Sequence, residues 1–325
     1  MKIFVTGASG FVGGAAVSKL KINHQIVAMS RSETSDEKIR ALGIEPVRSS
    51  LGSVTVEQLA GCDAIIHCAA YVEEWGPYST YERINVQGTR QLLEVAKEAG
   101  VKRFVHISTE ASLFYGQHMR NADESTALAT HSPFPYSKTK ALAEIAVNKA
   151  NDPDSGFSTI ILRPRLIWGP GDQTVLPVIL KMAAANKFAW VDGGKIKTST
   201  THIHNLVQAI ELALTKGGAG ETYFILDGAP VTFHDFMAAY ARTAGTDLGE
   251  RSVPGWVVRA MANILEPLWR LVRAKSTPPI TRFAAYIMSR EGTMTDEKAR
   301  SNMNYEPVIS VEAGLQALTE NQQAS

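Results

Sequence analysis

Tyr136 and Lys140 stand four apart at the opening of a stretch with helical spacing, so their side chains project from one face. A phenol and an ammonium so placed are the parts of an acid–base pair. The phenol titrates ordinarily at about 10, and a nearby positive charge is expected to lower that value. Lys140 would then relay the proton. Ser108 and Thr109 follow the apolar run Arg103-Phe104-Val105-His106-Ile107. Thr109 is taken as the hydroxyl that holds a substrate oxygen near the tyrosine, with Ser108 left open as the alternative.

These groups need a frame that brings a helix start and a strand end to one crevice. Lys2 to Thr6 reads as a buried strand, and Ala15, Ala16, Val17 and Leu20 continue with helical spacing. Gln25 to Met29 closes a β-α-β unit. Between strand and helix lies Gly7-Ala8-Ser9-Gly10-Phe11-Val12-Gly13. Gly7 suits a tight turn, Gly10 a close approach of a pyrophosphate, and Gly13 close packing of helix on strand. The helix start adds free N–H groups and a positive dipole end, so a dinucleotide is expected there. The positive nicotinamide ring of such a cofactor would also favour the phenolate of Tyr136. Where an NAD site usually carries an acid, this chain has Ser30-Arg31-Ser32. Arg31 suits a 2′-phosphate, so NADP(H) is expected over NAD(H).

Alternation of strand and helix continues. Helices are expected at Ser35 to Leu42 and Val54 to Leu59, and short strands at Glu45 to Arg48 and Asp63 to Cys68. The last ends in Ala69-Ala70, small residues against which a nucleotide can lie. An aromatic and acidic loop spans Tyr71 to Tyr81, and a long loop precedes Tyr136. Later strands are expected at Ser158 to Arg163 and Glu221 to Leu226. The pattern predicts an α/β fold: a doubly wound parallel Rossmann sheet of about seven strands with a smaller, mainly helical carboxyl-terminal substrate lobe. Residues 1–170 plus 200–228 would form the cofactor domain, and 171–199 plus 229–325 the substrate lobe.

Composition excludes several classes. Lys+Arg 33 against Asp+Glu 32 leaves a net charge of +1, which argues against nucleic acid as a partner. No apolar run is long enough to span a membrane, and no room for a signal peptide is seen before the first strand. Cys62 and Cys68 suit reduced thiols and a cytoplasmic setting. His67, His106, His202 and His204 lack acidic or cysteine partners at ligand spacing, so packing roles are expected and no metal. Asn85 is expected as a catalytic or water-binding residue or as a buried hydrogen-bonding group, and Trp168 and Trp190 as core or pocket wall.

With these residues in place, the chain resembles the extended short-chain dehydrogenase/reductases. The resemblance rests on the Thr6 to Gly13 turn, Asp63 to Ala70, Asn85-Val86-Gln87-Gly88-Thr89, Ser108-Thr109, Tyr136 to Lys140, Arg163-Pro164 with Gly169-Pro170, and Thr201 to Leu206. It implies that Tyr136 is the acid–base, Lys140 its partner and Thr109 the hydroxyl member. It also implies that Pro164 and Leu166 lie beside the nicotinamide and Leu51 near the adenine. The carboxyl part (Pro278 to Arg282, Lys298-Ala299-Arg300, Tyr305 to Val308) is similar to the 3β-hydroxysteroid dehydrogenase and dihydroflavonol reductase branch. Departures are Ser50 in place of a frequent Asp, Arg165 in place of a smaller residue, and Glu110-Ala111 in place of an Asp-Glu pair. Lys197 to Thr201 also lacks the arginine that sugar-nucleotide enzymes often place there.

The expected activity is NADP(H)-dependent interconversion of a ketone or aldehyde and an alcohol on a fairly apolar substrate: steroid-like, flavonoid-like or long-chain. Competing readings are a sugar-nucleotide epimerase or dehydratase with tightly held NAD, and a non-catalytic dinucleotide sensor. A homodimer is left open. In residues 254–275, Trp256, Ala260, Ile264, Leu268 and Val272 recur every four residues, an amphipathic pattern that Pro267 is expected to kink or split. It reads as ordinary core, as an apolar lid, or as a peripheral contact with the inner face of a membrane.

Overall fold

The computed structural model describes residues 1–272, 274 and 276–323, so Arg273 and Lys275 of the 254–275 stretch lie outside the described residues. Five strands open the chain: β1 (Lys2–Thr6), β2 (Gln25–Ser30), β3 (Pro46–Arg48), β4 (Ala64–His67) and β5 (Arg103–Ile107). Between them run α1 (Phe11–Leu20), α2 (Glu33–Ala41), α3 (Tyr78–Tyr81), a π-helical turn (Glu82–Gln87) and α4 (Gly88–Glu98). Strand β6 (Met119–Ala122), α5 (Pro135–Ala150) and β7 (Ser158–Pro164) follow. With Glu221–Ile225, six of these strands make a seven-stranded sheet in the order Glu221–Ile225, β7, β5, β4, β1, β2, β3, and every pairing is parallel.

Successive residues of a strand point to opposite faces. In β1, Ile3 and Val5 join Ala16, Val17 and Leu20 of α1 and Leu206 and Ile210 on one side. Phe4 joins Leu92, Leu93 and Ala96 of α4 and Val147 of α5 on the other. Burial on both faces is what makes these strands read as unbroken apolar runs. The strand order reverses between β1 and β4, which puts the switch-point crevice at the carboxyl ends of these two strands.

Above that edge lies a second layer. Val231–Thr232, Lys197–Thr198, Gly292–Met294 and β6 form a four-stranded sheet in that order. Helices α6 (Leu176–Ala184), α7 (Ile203–Ala213), α8 (Phe233–Arg242), α9 (Gly255–Leu271) and α10 (Arg282–Ile287) complete most of the rest. Trp168 is fully buried, and its indole N–H donates to Asp227 (2.7 Å).

Three expectations are corrected. Val54 to Leu59 is not a helix; only a 3₁₀ turn, Glu57–Leu59, forms, because so short a connector closes with one turn. The long loop before Tyr136 contains β6, whose partner strand Gly292–Met294 lies far downstream. Pro267 does not split α9, which runs unbroken from Gly255 to Leu271. Pro267 and Asn263 are both exposed, so water can serve the carbonyl that the proline leaves without a donor.

Candidate active site

Gly7 ends β1 in the left-handed region (φ +71°), where only glycine is unstrained, and a Cβ there would fall 2.8 Å from the Ala69 nitrogen. The turn after β1 and the Ala69-Ala70 turn after β4 therefore touch. Gly13 is tighter, since a Cβ would stand 2.3 Å from the Gly7 carbonyl oxygen. Gly10 precedes α1 with no side-chain cap, and the first turn holds no acid. Ser9 lies in the turn before Gly10, and Phe11 and Val12 open α1, whose first N–H groups have no side-chain cap, a fit for a pyrophosphate. Leu51 packs against Gly88, where a Cβ would come 2.8 Å from the Leu51 Cβ. Leu166 has φ +44°, a strained conformation for leucine, between the buried Arg165 and Trp168. Pro164 ends β7 beside it.

Arg31 is exposed just past β2, with no side-chain partner among the described residues. Ser32 caps α2 by accepting from the Ser35 N–H (3.3 Å). Arg48 on β3 pairs with Asp36, whose carboxyl is held below its usual range by the Ser30 hydroxyl first and then by Arg48. Asp36, which meets Ser30 at the β2 end, is thereby charge-paired.

Pro135 opens α5, where its missing N–H costs nothing. Tyr136, Lys140 and Glu144 then follow along one face. The Tyr136 phenol is raised above its ordinary value, mainly by burial and next by the Glu110 charge, while a hydrogen bond with Thr109 acts in the opposite sense. The expected lowering is therefore corrected for this arrangement, because Lys140 is engaged elsewhere. Its ammonium donates to the Ile107 carbonyl (2.9 Å) and meets His106 Nε2 at 3.3 Å. Burial brings Lys140 down to about 8. Thr109 sits beside Tyr136, its hydroxyl donating to Glu110 Oε2 (2.7 Å). Ser108 points the other way, donating to the fully buried Glu144. The geometry thus brings Thr109, not Ser108, to the phenol.

Other residues take packing or clamping roles. Asn85 accepts from the Tyr71 N–H (2.7 Å) and donates to the Tyr71 carbonyl (3.1 Å) and Thr139 (3.2 Å), which consumes its amide. His67 bonds Thr6 (2.8 Å) and Thr89 (2.9 Å), and His202 lies edge-on to Trp168. Motif reading missed the wall of the site. Phe283 of α10 lies edge-on to Tyr136 (5.9 Å between rings) and to Phe134 (5.7 Å), and Phe134 also meets Phe114 and Tyr286. The only local signal was Phe283 and Tyr286, three apart after Pro279, which no motif distinguishes from core.

The sheet with its switch-point crevice, and Thr109 beside Tyr136 with Lys140 one turn along α5, are the setting in which the chain's relatives are found to be NAD(P)-dependent dehydrogenases and reductases. The model of the 3-beta hydroxysteroid dehydrogenase/isomerase family matches residues 4–254. The chain belongs to that family. It is 38% identical over 321 residues to the 4-hydroxy-2-methyl-3-oxo-4-farnesyl-3,4-dihydroquinoline-1-oxide ketoreductase of Stigmatella aurantiaca, covering 98% of this chain and 96% of the relative. It is 33% identical over 328 residues to the 2-alkyl-3-oxoalkanoate reductase of Stenotrophomonas maltophilia (strain K279a), covering 98% of each. The UDP-glucuronic acid 4-epimerase of Bacillus cereus, solved in complex with NAD, shares the fold with a TM-score of 0.76 at 21% identity, over 100% of both chains.

Proposed function

We propose that this chain is an NADP(H)-dependent ketoreductase for a ketone carried on a large apolar skeleton, ring-containing or long-chain. The observation that carries the reading is the aromatic wall formed by Phe283, Phe134 and Tyr286 against the catalytic tyrosine. Such a wall recognises apolar surface and offers few groups for a sugar diphosphate. Thr198 and Thr201 are likewise taken up, by Arg165 (3.0 Å) and by the Ile225 carbonyl (2.6 Å). The two relatives named as reductases of oxo compounds with farnesyl or alkyl substituents support the same substrate class.

When bound, the reduced nicotinamide supplies the hydride. Tyr136 supplies the proton to the carbonyl oxygen, and Thr109, beside the phenol with its own proton on Glu110, holds the Tyr136 O–H in line. Lys140 sits one turn along α5 with its ammonium on the Ile107 carbonyl and His106, and would exchange those contacts to bind the nicotinamide ribose and replace the proton. A panel of cyclic and long-chain ketones with NADPH and NADH, followed by nicotinamide absorbance, tests the reading. Retained cofactor with no net turnover of any ketone would instead favour the epimerase reading.

Arg31 and the charge-paired Asp36 support NADP(H) over NAD(H). Arg31→Ala removes one charge-assisted contact, worth about 1.5–3 kcal/mol. The KM for NADPH should therefore rise by about tenfold or more, with NADH use nearly unchanged. A wild-type enzyme that prefers NADH would overturn the assignment.

The amphipathic helix adds a partner. Buried positions of α9 are Gly255, Val258, Ala262 and Glu266, so its apolar stripe faces outward. Trp256, Ile264 and Leu271 are 69%, 63% and 79% exposed. The one acid of the helix, Glu266, turns inward to the Arg282 N–H (2.6 Å) and to Arg270. That leaves an apolar face with Arg259 beside it and Arg270 paired to Glu266, which suits a lipid surface with anionic headgroups. Among the described residues no helix is long and apolar enough to cross a membrane, so the contact is in-plane. Ile264→Glu with Leu271→Glu should lower partitioning onto phosphatidylglycerol vesicles at least about tenfold, given about 1.5–3 kcal/mol per buried Leu or Ile. Turnover of a water-soluble ketone should be unaffected. Absence of vesicle binding, or dimerisation abolished by the same variant, would overturn the proposal.

A further inference from the structure

Two departures noted in the sequence, Glu110 after the catalytic threonine and Arg165 after Pro164, turn out to be partners. Arg165 Nη1 donates to Glu110 Oε1 (2.6 Å), and Arg165 Nε donates to Thr198 (3.0 Å). Both residues of the pair are buried. The Arg165 backbone N–H donates to Thr201 (3.0 Å), and a Cβ at Gly292 would lie 2.2 Å from the guanidinium. The guanidinium is thus sandwiched under the strand Gly292–Met294 and cannot swing out toward a ligand. The other oxygen of Glu110 accepts the only proton of the Thr109 hydroxyl (2.7 Å). Thr109 also accepts from the Ala111 N–H (3.2 Å), so its orientation is fixed from both sides.

We propose that Glu110, clamped by Arg165, is a positioning residue that takes the Thr109 proton and keeps Tyr136 in its proton-carrying form, poising the site for carbonyl reduction. The chain of contacts is Arg165–Glu110–Thr109–Tyr136. A proton that Thr109 gives to Glu110 is not free for Tyr136, so Thr109 meets the phenol with a lone pair and favours its O–H form. A carboxylate beside the phenol disfavours the phenolate in the same direction. Burial first and the Glu110 charge second raise Tyr136; a Thr109 hydrogen bond lowers it only by donating to the phenolate, and the Thr109 proton lies on Glu110. The charged groups around the phenol are Glu110 from the turn after β5, Arg165 behind it, and Lys140 one turn along α5, whose ammonium is spent on Ile107 and His106. Helix α10 contributes the Phe283 ring. The inference rests on the reductase reading, since a proton-carrying tyrosine serves reduction and a phenolate serves oxidation.

Glu110→Gln keeps an acceptor for Thr109 and removes the charge. Glu110→Gln with Arg165→Met removes both charges, so that no guanidinium is left unpaired in the interior. The readout that needs no substrate is tyrosinate absorbance against pH, wild type minus Tyr136→Phe and each Glu110 variant minus its own Tyr136→Phe counterpart. In both variants the Tyr136 phenolate should form at lower pH, its fraction at a given pH rising about tenfold. The kcat profiles should follow: oxidation should reach its plateau at lower pH and reduction should fail at lower pH. Cofactor KM should stay within about twofold, because neither residue is placed on the dinucleotide. Titrations that superimpose on wild type would overturn the proposal, whatever the loss of activity. So would a shift seen in the single variant and absent from the double, which would trace it to an unpaired Arg165. If no ketone is turned over, the reductase reading fails while the titration still decides the role of Glu110.

Discussion

Tyr136→Phe is expected to lower kcat for ketone reduction by about 10²–10⁴, the range for loss of a positioned general acid. The substitution removes one oxygen and keeps the ring. Phe283 keeps its edge-on partner at 5.9 Å, so the pocket wall and α10 should stay in place. Thr109 loses its contact with the phenol but retains Glu110 and the Ala111 N–H, so its orientation survives. Melting temperature and NADPH affinity should therefore stay near wild type, while kcat and kcat/KM fall together. Burial and Glu110 raise the phenol above its ordinary value, so wild-type Tyr136 carries its proton through the neutral range. Reduction is then expected to hold up to alkaline pH and to fall as pH rises through the raised value. Steady-state kinetics against pH check both statements. A kcat within about threefold of wild type would remove Tyr136 from the mechanism.

What could be read in advance follows from how local the cause is. The strand at Lys2 to Thr6 and the turn at Gly7 to Gly13 were legible because their causes lie within a dozen residues: two buried faces, then backbone contacts that exclude a Cβ. The four-residue spacing of Tyr136 and Lys140 was legible for the same reason, since α5 sets it locally. Long-range partners left no such trace. Strand β6 is defined by Gly292–Met294, and Glu110 by Arg165 on the far side of α5 and β7. Each of the two charged residues looked like an isolated oddity, and only the fold makes them one feature. Periodicity marked α9 as amphipathic but carried no information about which face meets the protein. Its interior is made by Val258, Ala262 and the paired Glu266, so the stripe of larger apolar side chains points out. Lys140 was expected on the Tyr136 face of α5, which the helix sets, but its direction depends on the Ile107 carbonyl and His106, both from β5.

The same helix face carries a third group, Glu144, and its removal should be the most damaging change to stability. Glu144 is fully buried and accepts three contacts from Arg163: Nε to both oxygens (3.1 Å each) and Nη2 to Oε2 (2.6 Å). It also accepts the Ser108 hydroxyl. One carboxylate thus ties α5 to the ends of β5 and β7, immediately before Thr109 and Pro164, the two places where the proposed catalytic and cofactor residues begin. Arg163 rests over the Phe224 ring (5.4 Å), and its Nη1 already lacks a partner. Glu144→Ala would strand a buried guanidinium and a serine hydroxyl, a loss of about 3–5 kcal/mol. For a domain of this size that is a fall in Tm on the order of 10 °C. Glu144→Leu combined with Arg163→Met removes both charges and keeps apolar volume, so it should recover most of that stability. The double variant should still be slow, because Ser108 no longer anchors the strand end that presents Thr109. Calorimetry on the two variants, with kcat alongside, checks the argument. A single variant within about 1 kcal/mol of wild type would mean that water reaches Arg163 and that the pair is not what holds the two strand ends to the helix.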